Sequence, residues 1–287
     1  MSSETRSLLI VFGNQLFPDI EIEKSGCRQI LMVEDFDDLN DCKYHKLRIL
    51  MIITSMRRYR DDLTSKGYEV HYRSLDDHDC SESFEAKLAK VIEERSVSRV
   101  VYFEVEDRAL ERRLEAFKER VAIPFEELTS PMFLCSRKRF SDYVGQAKAL
   151  RMASFYQMIR ADFNVLLDDE QKPVGGRWSY DADNRKRLPK DKMLPGVPVA
   201  NPDNKMDSLK LKILESFSDH PGEIDNLWMP TARAEALAWL DRFLELKLED
   251  FGAYEDAIVS TNNFVFHSAI SPMLNLGLLT PKEVLEK

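Results

Sequence analysis

The sequence predicts an α/β fold, a doubly wound parallel five-stranded sheet over residues 1–130, with only helical segments beyond it. Two observations carry that prediction. Apolar runs of strand length alternate with stretches of helical periodicity through the first 130 residues, the pattern of a parallel sheet covered on both faces. Past that point the alternation stops and no further strand pattern follows.

Each element has its own signal. Ser7-Leu-Leu-Ile-Val-Phe-Gly13 is a short apolar run closed by glycine, the mark of a buried strand, and Gln29-Ile-Leu-Met-Val-Glu34 is a second. Between His45 and Lys66, Ile49, Ile52, Ile53, Met56 and Leu63 recur at helical spacing, and Gly67 stops that helix. Glu69–Arg73 reads as the third strand, Ser83 caps a helix reaching Arg95, and Arg99–Glu104 is the fourth strand. Asp107 opens another helix, and Ile123–Leu128 closes the series.

Ser136–Val144 and Ala149–Leu167 then read as helices that flank no strand. Lys172–Asn204 holds Pro173, Gly175, Gly176, Pro189, Pro195, Gly196, Pro198 and Pro202, a connection too long for an idle loop. Leu209–Phe217 and Thr231–Leu248 return to helix, the second with Thr231 as its expected N-cap. The expected domains are residues 1–130, a helical and Pro/Gly-rich linker over 131–205, and the beginning of an all-helical domain over 206–287.

Composition narrows the class. With 44% hydrophobic and 32% charged residues, the 287-residue chain has material for a globular core. No apolar run nears the roughly 20 residues of a membrane span. The polar start Met1–Arg6 leads straight into a strand rather than a secretory leader, so a cytoplasmic protein is expected. Cys27, Cys42, Cys80 and Cys135 are scattered with no C-x-x-C pair, so no metal site is expected and four free thiols are. The net charge of −9 is uneven: Arg137–Lys192 holds 13 basic against 8 acidic residues, the remainder 28 against 42. A basic middle on an acidic body suits a polyanion; a solvated loop face has the same composition.

Four motifs bear on chemistry. There is no G-x-G-x-x-G and no G-x-x-x-x-G-K-[ST], which excludes the dinucleotide and P-loop fingerprints. Gly13-Asn14-Gln15-Leu16 follows the first strand, and Glu34 with Asp35, Asp37 and Asp38 follows the second. Amides and carboxylates at strand ends can hydrogen-bond a planar heterocycle or cap loops. Met56-Arg57-Arg58-Tyr59 lies in the first long helix. Gly175-Gly-Arg-Trp-Ser-Tyr-Asp-Ala-Asp-Asn-Arg185 offers groups that grip phosphates and stack on bases, or that pin a loop. In Phe266-His-Ser-Ala-Ile-Ser-Pro-Met-Leu-Asn-Leu-Gly-Leu-Leu279, Ser268 and Ser271 sit at an apparent helix start, as a phosphate cradle or as plain N-caps.

Together, in this order, these motifs resemble the deoxyribodipyrimidine photolyase-related family, the bacterial iron–sulfur cryptochrome and (6-4) photolyase branch, from about Leu8 to Val284. The resemblance implies light-dependent repair of ultraviolet pyrimidine photoproducts in DNA by electron transfer from FAD. It places a ribityl-lumazine antenna around Gly13, Asn14, Gln15, Glu34 and Asp38. Asn14 stands where the family usually has Asp, which removes a charge. FAD falls to Tyr254, His267, Ser268, Ile270, Ser271 and Asn275, and catalytic contact with damaged DNA to Asp181 and Arg185. No membrane and no obligate protein partner are implied. The resemblance also makes this chain the N-terminal part, with the [4Fe-4S] cysteines beyond Lys287. On that reading the chain alone neither holds FAD tightly nor repairs DNA, and Leu274, Leu278 and Leu279 lack partners. A photoreceptor without repair activity and a stand-alone chromophore-binding module are the alternatives.

Overall fold

Five apolar runs become strands: β1 (Ser7–Ile10), β2 (Gln29–Val33), β3 (Glu69–Arg73), β4 (Arg99–Phe103) and β5 (Phe125–Leu128). All pair in parallel in one sheet of order β3-β2-β1-β4-β5. This is the predicted α/β architecture, and its strand order reverses between β1 and β4, the place where such sheets receive ligands. Leu8, Leu9, Ile10, Val100 and Val101 are wholly buried, so continuous hydrophobicity rather than alternation marks the central strands. The computed structural model describes residues 6–196 and 206–287. The polar start at 1–5, and Pro198, Pro202 and Asn204 of the Pro/Gly-rich stretch, lie outside the described residues.

The chain divides into two compact units. The described residues of Met1–Met132, Pro198–Leu237 and Ser271–Thr280 form one, and those of Phe133–Val197, Ala238–Ile270 and Pro281–Lys287 the other. In the first, the sheet is joined by α1 (Asp19–Lys24), α2 (Phe36–Asp41), α3 (Lys46–Ser65), α4 (Phe84–Glu94) and α5 (Arg108–Lys118). Leu8, Ile10, Leu31 and Val33 pack with Leu88 and Val91 of α4 and with Leu110, Leu114 and Phe117 of α5. Ser83 and Asp107 cap α4 and α5 as expected. His45 caps α3, its Nδ1 accepting from the Leu47 amide at 3.1 Å. α1 and α2 were not predicted; six residues are too few to show a period.

The second unit holds α6 (Arg137–Gln146) and α7 (Met152–Asp162), joined by Phe140–Phe155 and Tyr143–Phe155 ring contacts, each at 5.2 Å. α7 ends earlier than its periodicity suggests, because Asn164 and Leu166 turn left-handed at φ 52° and 50°. A hairpin follows, closed by an antiparallel bridge between Leu167 and Pro173. Buried Arg160 holds it: its guanidinium donates to the carbonyls of Val165 (3.1 Å), Leu166 (2.7 Å) and Trp178 (2.7 Å).

The chain then returns to the first unit with α8 (Asp207–Ser216) and the start of α9 (Arg233–Leu246). Thr231 does not cap α9, which starts two residues later. Its hydroxyl instead accepts from Arg58 of α3 at 2.7 Å, and its amide donates to Glu235 at 3.1 Å. The remainder of α9, α10 (Leu248–Tyr254) and, after α11 (Ser271–Asn275), α12 (Pro281–Glu286) complete the helices.

Residues 271–280 correct one expectation. Leu278 and Leu279 are not left without partners; each is 1% exposed within the first unit. The Leu16 amide donates to the Leu276 carbonyl at 2.9 Å, and Arg233 donates to the Leu278 carbonyl at 3.0 Å. Gly277 makes this fit possible. Its φ of 77° is left-handed, and a Cβ there would stand 2.6 Å from the Phe17 ring.

Glu34, at the end of β2, is wholly buried and accepts from four donors. These are Arg57 Nε (2.7 Å) and Nη2 (3.0 Å), the Tyr72 hydroxyl (2.7 Å) and the Leu75 amide (2.7 Å). Burial, then the Glu34 charge, pushes the Tyr72 phenol well up, so it remains a donor. Glu34→Gln turns an amide N–H toward donors that a carboxylate satisfied and leaves Arg57 only its ion pair with the more exposed Asp76 at 2.8 Å, and is expected to cost about 3 kcal/mol in urea unfolding. Gly277→Ala is expected to cost about 2 kcal/mol by the same measurement, from strain and overpacking together.

Candidate functional site

The carboxyl ends of β1, β2 and β4 open into a cavity of about 530 Å3, within the first unit and of small-molecule size. Phe12, Gly13 and Asn14 extend from β1, Val33 and Asp35 stand at the end of β2, and Glu106 and Asp107 follow β4. Asp38 and Leu39 of α2, Tyr44, and Arg48, Met51, Ile52 and Met56 of α3 form one side. Phe84, Leu110, Met132, Met229, Pro272, Asn275 and Leu276 complete the wall.

The wall is apolar and adaptable. Phe12 and Phe84 meet at 5.3 Å, and Met51, Met56, Met132 and Met229 present polarizable thioethers suited to a flat aromatic ligand. Gly13 keeps the space open: a Cβ there would lie 3.1 Å from Met56 Sδ and 3.6 Å from Ile52 Cγ2. Polar side chains interrupt the wall: Asn14, Asp35, Asp38, Tyr44, Arg48, Glu106, Asp107 and Asn275. Asp107 Oδ1 is spent on the amides of Ala109 (2.7 Å) and Leu110 (2.9 Å). Asp35 caps α2 through the Asp37 amide (3.2 Å) and pairs with Arg113 (3.1 Å). Burial pushes the Asp35 carboxyl up, and Arg113 opposes that. Arg48 is the lysine or arginine among the lining residues, its guanidinium 4.0 Å over the Tyr44 ring.

Of the residues expected around an antenna, Gly13, Asn14 and Asp38 line this cavity. Gln15 and Glu34 stand behind the wall: Gln15 is 1% exposed and donates to the Glu104 carbonyl at 2.9 Å, and Glu34 is committed to its four donors. Asn275, expected at a flavin, also lines the cavity. Sequence reasoning missed Tyr44, Arg48, Phe84 and Met229. The Met56–Tyr59 motif was the available signal. Met56 lines the cavity, Arg57 holds Glu34, Arg58 holds Thr231, and the Tyr59 hydroxyl donates to the Phe17 carbonyl at 2.7 Å.

The remaining candidates lie elsewhere. Ser271 belongs to the first unit; Tyr254, His267, Ser268 and Ile270 belong to the second. There, Tyr254 and Phe266 rings meet at 5.7 Å, with Lys192 Nζ 5.8 Å from each centroid. Lys247 donates to the His267 carbonyl at 3.1 Å, and Trp239 Nε1 to the Ser268 carbonyl at 2.9 Å. Ala269 is left-handed at φ 52°, and the amides of Ser268, Ala269 and Ile270 have no acceptor among the described residues. Successive free amides of this kind suit an anion such as a diphosphate. Asp181 opens a single 3-10 turn, Asp181–Asp183, and accepts from Asn184 at 3.4 Å. The carboxylate paired with Arg185 is Asp256, at 3.1 Å, and not Asp181. No group of three or more His, Cys, Asp or Glu among the described residues is placed to hold a metal. No helix among them is long and apolar enough to cross a membrane.

A sheet, its cavity and the Gly-Gly-Arg-Trp loop thus occur in one chain. The family model for deoxyribodipyrimidine photo-lyase-related protein matches residues 9–229. The chain belongs to that family. It is similar to a (6-4) photolyase of Agrobacterium fabrum, 29% identical over 280 residues, which is 96% of this chain and 55% of that protein. It therefore spans about half the length of that relative. It also resembles the uncharacterized protein R852 of Acanthamoeba polyphaga mimivirus, 25% identical over 194 residues, 64% of this chain and 96% of that one. A second protein of that virus, the uncharacterized R853, is 59% identical over 34 residues, 12% of this chain and 26% of its own.

Lys247 is 5% exposed, and burial holds its amine below the usual lysine range. The charged form therefore weighs against folding at pH 7, and that cost fades as the pH rises toward the unfolded-state pKa. Lys247→Met removes that charge together with the donor to the His267 carbonyl, so its stability relative to wild type is expected to fall as the pH rises from neutral to alkaline, read as the difference in urea midpoints.

Proposed function

We propose that this chain carries the pigment site of a flavin-based, light-driven DNA repair protein acting on ultraviolet pyrimidine photoproducts. The observation that carries the reading is the cavity at the strand ends, apolar-walled, of about 530 Å3 and kept open by Gly13. Family membership and the (6-4) photolyase relative supply the reaction class. Gly13, Asn14 and Asp38 would hold the polar edge of a ribityl-lumazine, with Phe12, Phe84 and the methionines around its ring. Asn14 is a neutral amide that can both donate and accept, so it suits an uncharged heterocycle.

Tyr254, His267, Ser268 and Ile270 would hold FAD, with the unpartnered amides at 268–270 toward its diphosphate. When bound, the pigment supplies light absorption and the flavin supplies an electron. Asp181 and Arg185 would face damaged DNA, on a segment with 13 basic against 8 acidic residues. Arg185, paired only at the surface with Asp256, can exchange that carboxylate for a phosphate. Asn275 is assigned to the pigment rather than the flavin, since it lines the cavity. The four free thiols suit a reducing cytoplasm.

Fluorescence titration of the full chain with 6,7-dimethyl-8-ribityllumazine tests the reading. Saturable binding near one per chain is expected, with Gly13→Leu weakening it at least about tenfold at unchanged circular dichroism. Equal binding by Gly13→Leu would remove the cavity as the site.

A further inference from the structure

We infer that His220 is a positioning residue for the cavity, holding the α2–α3 rim where a ligand must enter; this rests on the reading of the cavity as a ligand site. The rim consists of Asp38 and Leu39 of α2, then Tyr44 two places before α3 and Arg48 in its first turn. Between them the chain leaves helical structure, and Arg48 stays exposed. Local contacts hold parts of the crossing, with the Tyr44 amide donating to the Cys42 carbonyl at 2.7 Å and Arg48 over the Tyr44 ring, but neither reaches back into α2. That tie comes from residue 220, far along the chain.

His220 is 3% exposed. Its Nδ1 lies 2.9 Å from the Tyr44 carbonyl, and its Nε2 lies 3.0 Å from Asn40 Oδ1. One ring thus bridges α2 to the residue two places before α3. A carbonyl can only accept, so Nδ1 carries a proton. Nε2 completes the bridge as acceptor from an Asn40 amide turned over or, when protonated, as donor to its oxygen.

The imidazole is itself held. Phe217 meets its edge at 5.1 Å and stacks on Phe36 of α2 at 5.2 Å. Lys46 Nζ donates to the His220 carbonyl, the Lys46 amide donates to the Pro221 carbonyl at 3.0 Å, and Lys43 pairs with Asp219. Gly222, at φ 83°, lets the strap run against the His45 ring, where any side chain would collide. The strap at 217–222 grips both sides of the rim without lining the cavity. A role through Asn40 and Tyr44 is the one its geometry permits.

The test compares the full-length wild-type chain with His220→Ala, His220→Gln and Val91→Ala, a core truncation in α4 away from the rim. Two readouts are used: titration with 6,7-dimethyl-8-ribityllumazine, and hydrogen exchange of peptides covering residues 36–48. His220→Ala is expected to weaken binding about tenfold and to speed exchange across 36–48. His220→Gln, which can still donate to the Tyr44 carbonyl, should recover part of both. Val91→Ala should lower the urea midpoint while leaving affinity and rim exchange near wild type. Unchanged rim exchange in His220→Ala would overturn the inference, as would equal loss of binding in Val91→Ala at equal loss of stability. If wild type takes up no lumazine, the pigment reading fails, and rim exchange alone decides the role of His220.

Discussion

The buried carboxylate of Glu34 is the constraint on which the first unit depends. A wholly desolvated charge is tolerable only if its lone pairs are filled, and here four donors from α3, β3 and the following loop fill them. The geometry of one carboxylate thus fixes where Arg57 lies, on a helix whose rotation about its axis also buries Ile49, Ile53 and Leu63. That rotation turns Met56 and Ile52 to the cavity and Arg58 to Thr231. Glu34 is a site residue only at one remove, since it shapes the wall it does not touch.

This explains what was legible in the sequence. The strands were, because central parallel strands are continuous apolar runs such as Leu8–Val11 and Val100–Phe103. The long helices were, because Ile49, Ile53, Met56 and Leu63 keep their period over many turns. Gly13, Asn14 and Asp38 could be placed at strand ends by topology alone. Gln15 and Glu34 could not be told from them, because a carboxylate beside a strand looks the same whether it faces a ligand or an arginine. Met229 and His220 were out of reach for another reason, and Asn275, singled out from its motif, could not be put at this cavity: their partners lie far away in sequence, and no local period records such contacts. The burial of Leu278 and Leu279 was hidden in the same way.

The second unit solves a different problem with less core. Among the described residues the Arg160 guanidinium has no carboxylate partner; three backbone carbonyls surround it, and the Trp178 ring lies 5.2 Å away. A cation used this way orders an irregular hairpin that has few apolar side chains to bury. Lys247 does the same for the loop carrying His267 and Ser268, through a single carbonyl. In both places the carbonyls are drawn to a buried cation.

The cavity wall combines residues 11–56, 84–110 and 132 with Met229 and with residues 272–276. A chain emerging from the ribosome can therefore pair all five strands while the pocket still lacks its last side. Translation order makes the sheet an early scaffold and completion of the cavity wall a late event, which waits for a short segment near residue 276. Until then the side of Phe17 that the Gly277 turn covers stays open, and nascent chains at that stage are natural clients for chaperones.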